Sequence, residues 1–202
     1  MTAPGENQPI NLVVEPLTEN LLDDFLLFFD TVAFTDNPEW AGCYCHFYHA
    51  SCSDRAWEKR SKEDNRNGSM QLILSGAMRG YLAYLDGKPA GWCNVNRKTA
   101  YPKLMASRRI ADPAFDSLIA SIVCFVVAPS CRDLGVARRL LQRVCADYSR
   151  KELAYLEAYP RKGKTSPARN YHGSLSMYLK EGFTVIKELK EYCIVRKAIR
   201  RV

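Results

Sequence analysis

The chain has 202 residues, 47% of them hydrophobic and 25% charged, with a formal net charge of +7. That is enough chain for one domain with a full core and has the composition of an ordinary globular protein. No apolar run approaches the ~18 residues a membrane span needs. The N-terminal ten residues, MTAPGENQPI, have neither a basic start nor an apolar stretch, so they read as a flexible tail before a single domain over 11–202, not as a signal peptide. Several of the eight cysteines lie in apolar runs such as SIVCFVV and EYCIV. They are expected to be free thiols in a reducing, cytoplasmic setting.

Residues 11–17, NLVVEPL, predict a strand. Thr18 then stands where it can cap a helix through ENLLDDFLLFFD, in which Leu21, Leu22, Phe25, Phe28 and Phe29 recur at helical spacing. Asn37 and Pro38 predict another helix start, leading into EWAGCYCHFYHASC. Ser53 is the candidate cap of a further polar helix, broken near Gly68. MRGYLAYL and PAGWCNV flank Asp86-Gly87, a hairpin signal. An irregular stretch from 97 to 116 precedes SLIASIVCFVV, a buried central strand. The next helix, from about Val136 to Arg150, has an inner stripe of Val136, Leu140, Leu141, Val144 and Tyr148. LAYLEAYP predicts a strand, RKGKTSPARN a basic loop, LSMYLKEGF a short helix ending near Gly182, and FTVIKEL with EYCIVRK a closing hairpin. The last residues, RKAIRRV, carry part of the charge excess as a solvated tail. The order is mixed α/β, with a sheet of about six to seven strands and about four helices.

The junction CFVVAPSCRDLGVARRLL carries the clearest chemistry. A buried strand turns into a helix at Gly135, whose first amides have no partner within the helix. Such a corner suits phosphate oxygens, with Arg132, Arg138 and Arg139 adding charge. It lacks the features of a Walker loop and of a GxGxxG turn. An ordinary strand–turn–helix corner remains the alternative.

Arg132-x-x-Gly135-x-Ala137 after VVAP and before RRLL resembles the coenzyme A pyrophosphate loop of the GNAT acyltransferase superfamily. SMYLKEGF resembles its second signature, a helical tyrosine followed by Gly-Phe. The element order fits over nearly the whole chain from about residue 11. GYLAYLDGKPAGWCNV, LEAYP and YHGSLSMYLKEGF resemble more narrowly a bacterial branch whose acceptors are undefined. The resemblance implies acetyl-CoA as cosubstrate and direct attack by a bound primary amine, without an acyl-enzyme. Backbone groups of Phe125, Val126 and Val127 would hold the pantetheine arm like an added strand. Amides from Arg132, Asp133, Leu134, Gly135, Val136, Ala137 and Arg138 would cradle the pyrophosphate. Tyr178 would protonate the departing thiolate; packing on an amphipathic helix is its other reading. Many members have an asparagine seven residues before this tyrosine. Here Tyr171 stands there, so Asn170, Tyr171 or a backbone group would supply that contact.

An attacking amine must be neutral, so a base or a water relay is needed. Glu157 in AYLEAYP faces away from Leu156 and Ala158, alongside Tyr155 and Tyr159. It resembles the base of GNAT enzymes that acetylate ribosomal-protein N-termini; a carboxylate paired with arginine is the alternative. His172, at the start of the last helix, reads as a cap-region residue or an acceptor contact.

If EWAGCYCHFYHASC is helical, Cys45, His49 and Cys52 share a face. A closed zinc site would need a fourth ligand, and no second C-x-x-C or histidine pair follows, so no metal is expected. In GNAT folds this segment lines the acceptor pocket, which makes Trp40, Tyr44, Cys45, Tyr48 and His49, with Trp92, the expected wall. A small-molecule amine is favoured over a peptide or protein amine, and a non-catalytic acyl-CoA sensor is a third reading. No nucleic-acid module or membrane segment is expected. A homodimer is compatible with the family, with no interface identifiable.

Overall fold

The computed structural model describes residues 11–150, 152–163, 166 and 170–199. The expected N-terminal tail, part of the basic loop and residues 200–202 lie outside these. The elements run β1 (Leu12–Pro16), α1 (Leu22–Leu27), α2 (Asp54–Trp57), α3 (Lys62–Leu74), β2 (Gly80–Leu85), β3 (Lys88–Arg97), α4 (Pro102–Met105), β4 (Ile119–Val127), α5 (Val136–Tyr148), β5 (Tyr155–Ala158), α6 (Leu175–Lys180), β6 (Thr184–Glu188) and β7 (Cys193–Ala198). The strands come in the expected order; the helix expected from Ser53 is divided into α2 and α3, and α4 is a short addition. One seven-stranded sheet has the order β1-β2-β3-β4-β5-β7-β6. Only β4 and β5 are parallel among its pairs, and α5 makes the crossover that a parallel pair requires.

The anticipated stripe of α5 is buried at all five positions and packs on one face of the sheet. The hairpin turns at Asp86 (φ 49°) and Gly87 (φ 78°), the left-handed pair that a two-residue loop demands. Ser53 accepts a bond from the Ala56 amide and caps α2. Thr18 makes no side-chain cap; α1 is preceded by a 3-10 turn, Glu19–Leu21, and runs into a π turn, Phe28–Val32. That turn sends Phe28 and Phe29, with Phe25, into a second core around Trp92.

Two expectations need correction. Gly68 does not break a helix. It lies inside α3, which begins with a capping box on Ser61. The His46 ring packs where its side chain would stand, 2.5 Å from an added Cβ. The ring is stacked on Trp57 and nearly buried, so it has little room to yield. Gly68→Ala is therefore expected to destabilise the fold by about 1 kcal/mol or more, overpacking outweighing the gain in helix propensity. Urea denaturation of the two proteins checks this.

The Cys/His-rich stretch is not a helix. A 3-10 turn spans Pro38–Trp40 and another Phe47–His49. Between them Tyr44 (φ 46°) and Cys45 (φ 55°) are both left-handed. Cys45, His49 and Cys52 therefore share no helical face. Among the described residues, no group of three or more His, Cys, Asp or Glu is placed to hold a metal ion.

Candidate active site

Strand β4 pairs with β5 only from Ile119 to Ile122, yet it continues to Val127. Beyond Ile122 β4 runs on without β5, and a cleft of about 910 Å³ lies along its end. Its floor is the end of β4. One side is the loop from Cys131 to the start of α5. The other is the stretch with Trp40, Cys43, Cys45, Phe47 and Tyr48, joined by Trp57.

At the loop, Asp133 (φ 62°) and Gly135 (φ 80°) are both left-handed. Gly135 caps α5 with no side chain, and a Cβ there would meet no atom within 4 Å. The first-turn amides thus face open space at the positive end of a helix of 13 residues. Arg132, Asp133, Gly135, Val136, Ala137 and Arg138 line the cleft, while Leu134 turns outward and is 42% exposed. Arg132 is paired with Asp36, and Arg138 with Glu181 at 2.7 Å.

On the floor, the Ala128 amide donates to Ala90 of the β3 side. By the alternation of an antiparallel ladder, Val126 faces β3 while Phe125 and Val127 face the cleft. The Phe125 amide already donates to the Tyr171 carbonyl at 2.6 Å. Of the three residues expected to pair with an added strand, Val127 alone keeps its backbone groups turned to the cleft without that competition. Asn170 and Tyr171 both line the cleft, and the Tyr171 ring meets Trp40 with centroids 5.4 Å apart.

Tyr178 is fully buried. Its hydroxyl donates to the His172 carbonyl at 2.8 Å, and burial pushes its phenol well above the ordinary range. It lies directly behind Gly173, a cleft residue whose added Cβ would come within 3.1 Å of its ring.

Glu157 also lies outside the cleft lining. It is fully buried, with Oε1 bonded by Lys98 and Tyr159, both at 2.8 Å, and Oε2 by Arg196 at 2.7 Å. The arginine pairing anticipated as its alternative is present, with a lysine added.

The acceptor wall is partly as expected. Trp40, Cys45 and Tyr48 line the cleft. Trp92 and Tyr44 do not: both rings are fully buried in the second core, and the Tyr44 hydroxyl is bonded to Asp30. The left-handed bend turns Tyr44 inward, and the π turn lays Phe29 against Trp92 on β3, neither of which sequence spacing could foretell. His49 sits behind the wall, with Nε2 3.3 Å from Asn94 Nδ2. The reading of residue types missed Cys124, Phe47 and Trp57 as lining residues. Alternation along β4 was the available signal for Cys124.

Burial, with the nearby His46, lowers His49 to about 4; burial, with Arg161, lowers His172 to about 3. Both are neutral when folded at physiological pH. Below their ordinary value of 6.5 the unfolded chain binds protons that the folded chain refuses. Stability is therefore expected to fall as pH drops from 6.5, by up to about 1.4 kcal/mol per pH unit for each histidine, until the folded values are reached. Urea midpoints at pH 7.5, 6 and 5 check the slope, and His172→Gln should remove part of it.

A parallel strand pair that parts over an uncapped helix start defines a class of folds suited to an extended, anionic ligand. The match to the Acetyltransferase (GNAT) family covers residues 36–177. The chain belongs to that family of acyltransferases. Solved structures of similar fold include an N-acetyltransferase from Staphylococcus aureus Mu50, at 12% identity, TM-score 0.57, covering 94% of this chain and 99% of that one. Another is PaiA N-acetyltransferase from Thermoplasma acidophilum in complex with coenzyme A, at 18% identity, TM-score 0.54, covering 93% and 99%. A third is the aminoglycoside acetyltransferase AAC(6')-Ib in complex with coenzyme A, at 14% identity, TM-score 0.59, covering 93% and 95%. Comparison with curated proteins gave no significant match. No helix among the described residues is long and apolar enough to cross a membrane.

Proposed function

We propose that the cleft binds acetyl-CoA and transfers its acetyl group to the primary amine of a small molecule. The observation that carries this reading is the uncapped start of α5 at Gly135, open to the cleft where β4 leaves β5. First-turn amides and left-handed Gly135 suit a pyrophosphate. Val127 offers backbone groups to an extended arm. Acetyl-CoA would supply the activated thioester; the protein binds, orients and moves protons.

The aromatic wall of Trp40, Phe47, Tyr48 and Trp57 suits a compact acceptor, and the cleft volume lies in the range of small-molecule sites. Glu39 and Glu58 on the same cleft supply charge that attracts an ammonium group. The amine must lose its proton before attack. With both oxygens of Glu157 held by cations and Tyr159, the reading gives that carboxylate a positioning role and leaves deprotonation to water in the cleft. Tyr178 is the proposed acid, one residue layer behind the cleft at Gly173. Tyr178→Phe is expected to bind acetyl-CoA normally and to lower kcat by ~10²-fold.

The test is a panel of small amines and amine-bearing peptides with acetyl-CoA, followed by release of free CoA thiol. Amine-dependent release with small acceptors and none with peptides is the expected result. Peptide-only release would favour the protein-amine reading; acetyl-CoA binding without any release would favour the non-catalytic sensor.

A further inference from the structure

Four thiols, Cys43, Cys45, Cys124 and Cys131, line the cleft, and all four are free. Cys45 ends the left-handed pair begun by Tyr44. Neither residue is glycine, so the bend holds backbone strain. Neighbours hold the bend in place: Ser69 Oγ donates to the Tyr44 carbonyl at 2.9 Å, and Asn94 Nδ2 approaches the Cys45 carbonyl at 3.4 Å. Strain kept at a cleft wall points to a use for the side chain it presents.

The Cys45 sulfur has a built environment. Asn94 Nδ2 lies 3.2 Å from it. The Tyr101 hydroxyl donates to Asn94 Oδ1 at 2.7 Å, which fixes the amide so that its NH2 faces the sulfur. The fully buried Trp92 indole N–H makes no geometrically sound hydrogen bond, yet lies near enough to Cys45 to favour its anion. Cys124 stands opposite Asn94 in the β3–β4 ladder and shares its face. Asn94, bonded to the Cys45 sulfur, thus brings the two cysteines to one spot on the wall, close enough for each thiol to shift the other's ionisation. Burial would raise Cys45, but the contacts with Cys124, Asn94 and Trp92 outweigh it and hold that thiol below the ordinary value. Contact with Cys45, then burial, pushes Cys124 well up. Of the two thiols, Cys45 is therefore the easier to ionise.

We propose that Cys45 and Cys124 form a reversible, peroxide-driven disulfide that shuts the acceptor side of the cleft. The Cys45 thiolate attacks one oxygen of hydrogen peroxide. The O–O bond breaks, hydroxide leaves and takes a solvent proton to become water, and Cys45 becomes a sulfenic acid. The Cys124 sulfur then attacks that sulfur and forms the S–S bond; the departing hydroxide takes the Cys124 proton as water. Two sulfurs lose two electrons in total and one peroxide becomes two waters. A dithiol reverses the bond by exchange. Drawing the sulfurs to about 2.05 Å ties the left-handed bend to β4, one residue before Phe125. The bond stands on the thiol geometry alone; its effect on turnover rests on the acetyltransferase reading.

The experiment treats the full chain with a small excess of hydrogen peroxide, alkylates it, counts remaining thiols and maps unreduced peptides by mass. Loss of two of the eight thiols, a peptide joining Cys45 to Cys124 and full recovery in dithiothreitol are expected. Cys45→Ser should keep its remaining thiols at that dose, Cys124→Ser should lose Cys45 alone as a sulfenic acid, and Cys52→Ser should form the link as the parent does. Unchanged thiols in the parent, a link through Cys43 or Cys131, or oxidation of Cys45 in the parent without a partner would overturn the proposal. Thioester consumption, followed separately on the acceptor found by the amine panel, should fall about tenfold or more on oxidation and recover on reduction. A mapped bond with unchanged turnover would overturn the switch. A reduced protein that transfers nothing would count against the acetyltransferase reading instead, and the peptide map alone would then decide whether the bond forms.

Discussion

Lys98→Ala is expected to cost about 3–5 kcal/mol of stability, because it leaves buried carboxylates without their cation. Lys98 is fully buried, and its ammonium donates to Glu157 and the Ile110 carbonyl at 2.8 Å and to Asp116 at 2.9 Å. Arg196 remains for Glu157. Asp116, 4% exposed, would keep only the Asp112 amide, at 3.0 and 3.1 Å from its oxygens. Against a total stability of about 5–15 kcal/mol the loss is large. For a chain of this size it corresponds to a fall in Tm of about 6–20 °C. Thermal and urea unfolding measure it. Lys98→Met with Asp116→Asn should recover part of the loss, since the carboxylate left without its cation is then neutral as well. A single-variant cost below about 1 kcal/mol would mean that water reaches the cluster. The same cluster holds the segment that carries Tyr101, and Tyr101 orients Asn94 behind the cleft wall. Glu157 thereby positions the wall from a distance.

Gly135→Val is expected to weaken acetyl-CoA binding by ~100-fold or more, about 2.7 kcal/mol. A Cβ at this position has no atom within 4 Å, so the fold leaves space where the side chain begins. Its branched side chain would occupy the open space over the amides of α5. It would also force a β-branched residue into φ +80°, at about 1–2 kcal/mol. Gly87→Val separates these effects. Gly87 has φ +78° and equally open surroundings, in a hairpin turn that does not line the cleft. It should lose similar stability and keep full affinity. Equal affinity in both variants would remove the α5 start from the binding site.

Local rules were enough for much of this molecule. The α5 stripe, the Asp86-Gly87 turn and the Ser53 cap are short-range features, written in residues that touch or lie one turn apart. The run that forms β4 is continuous and apolar because side chains on both its faces are buried, and Gly135 marks the corner because no other residue so readily takes that φ. What escaped depends on partners distant in sequence. Gly68 looked like a breaker because His46, 22 residues earlier, is invisible to helix propensity. Tyr44 and Cys45 carry none of the Gly or Asn that announce a left-handed bend; contacts from Ser69 and Asn94 impose it. Lys98 reads as a surface residue until Glu157 and Asp116 are brought to it. Tyr171 looked like a replaced side chain, while its carbonyl makes the closer contact, on the Phe125 amide.

Calorimetric titration with acetyl-CoA, with CoA alongside, tests the central claim most directly. One site per chain in the parent protein, lost in Gly135→Val and kept in Gly87→Val, is the expected result. Absence of binding by both ligands to the folded parent protein would contradict the assignment of the cleft.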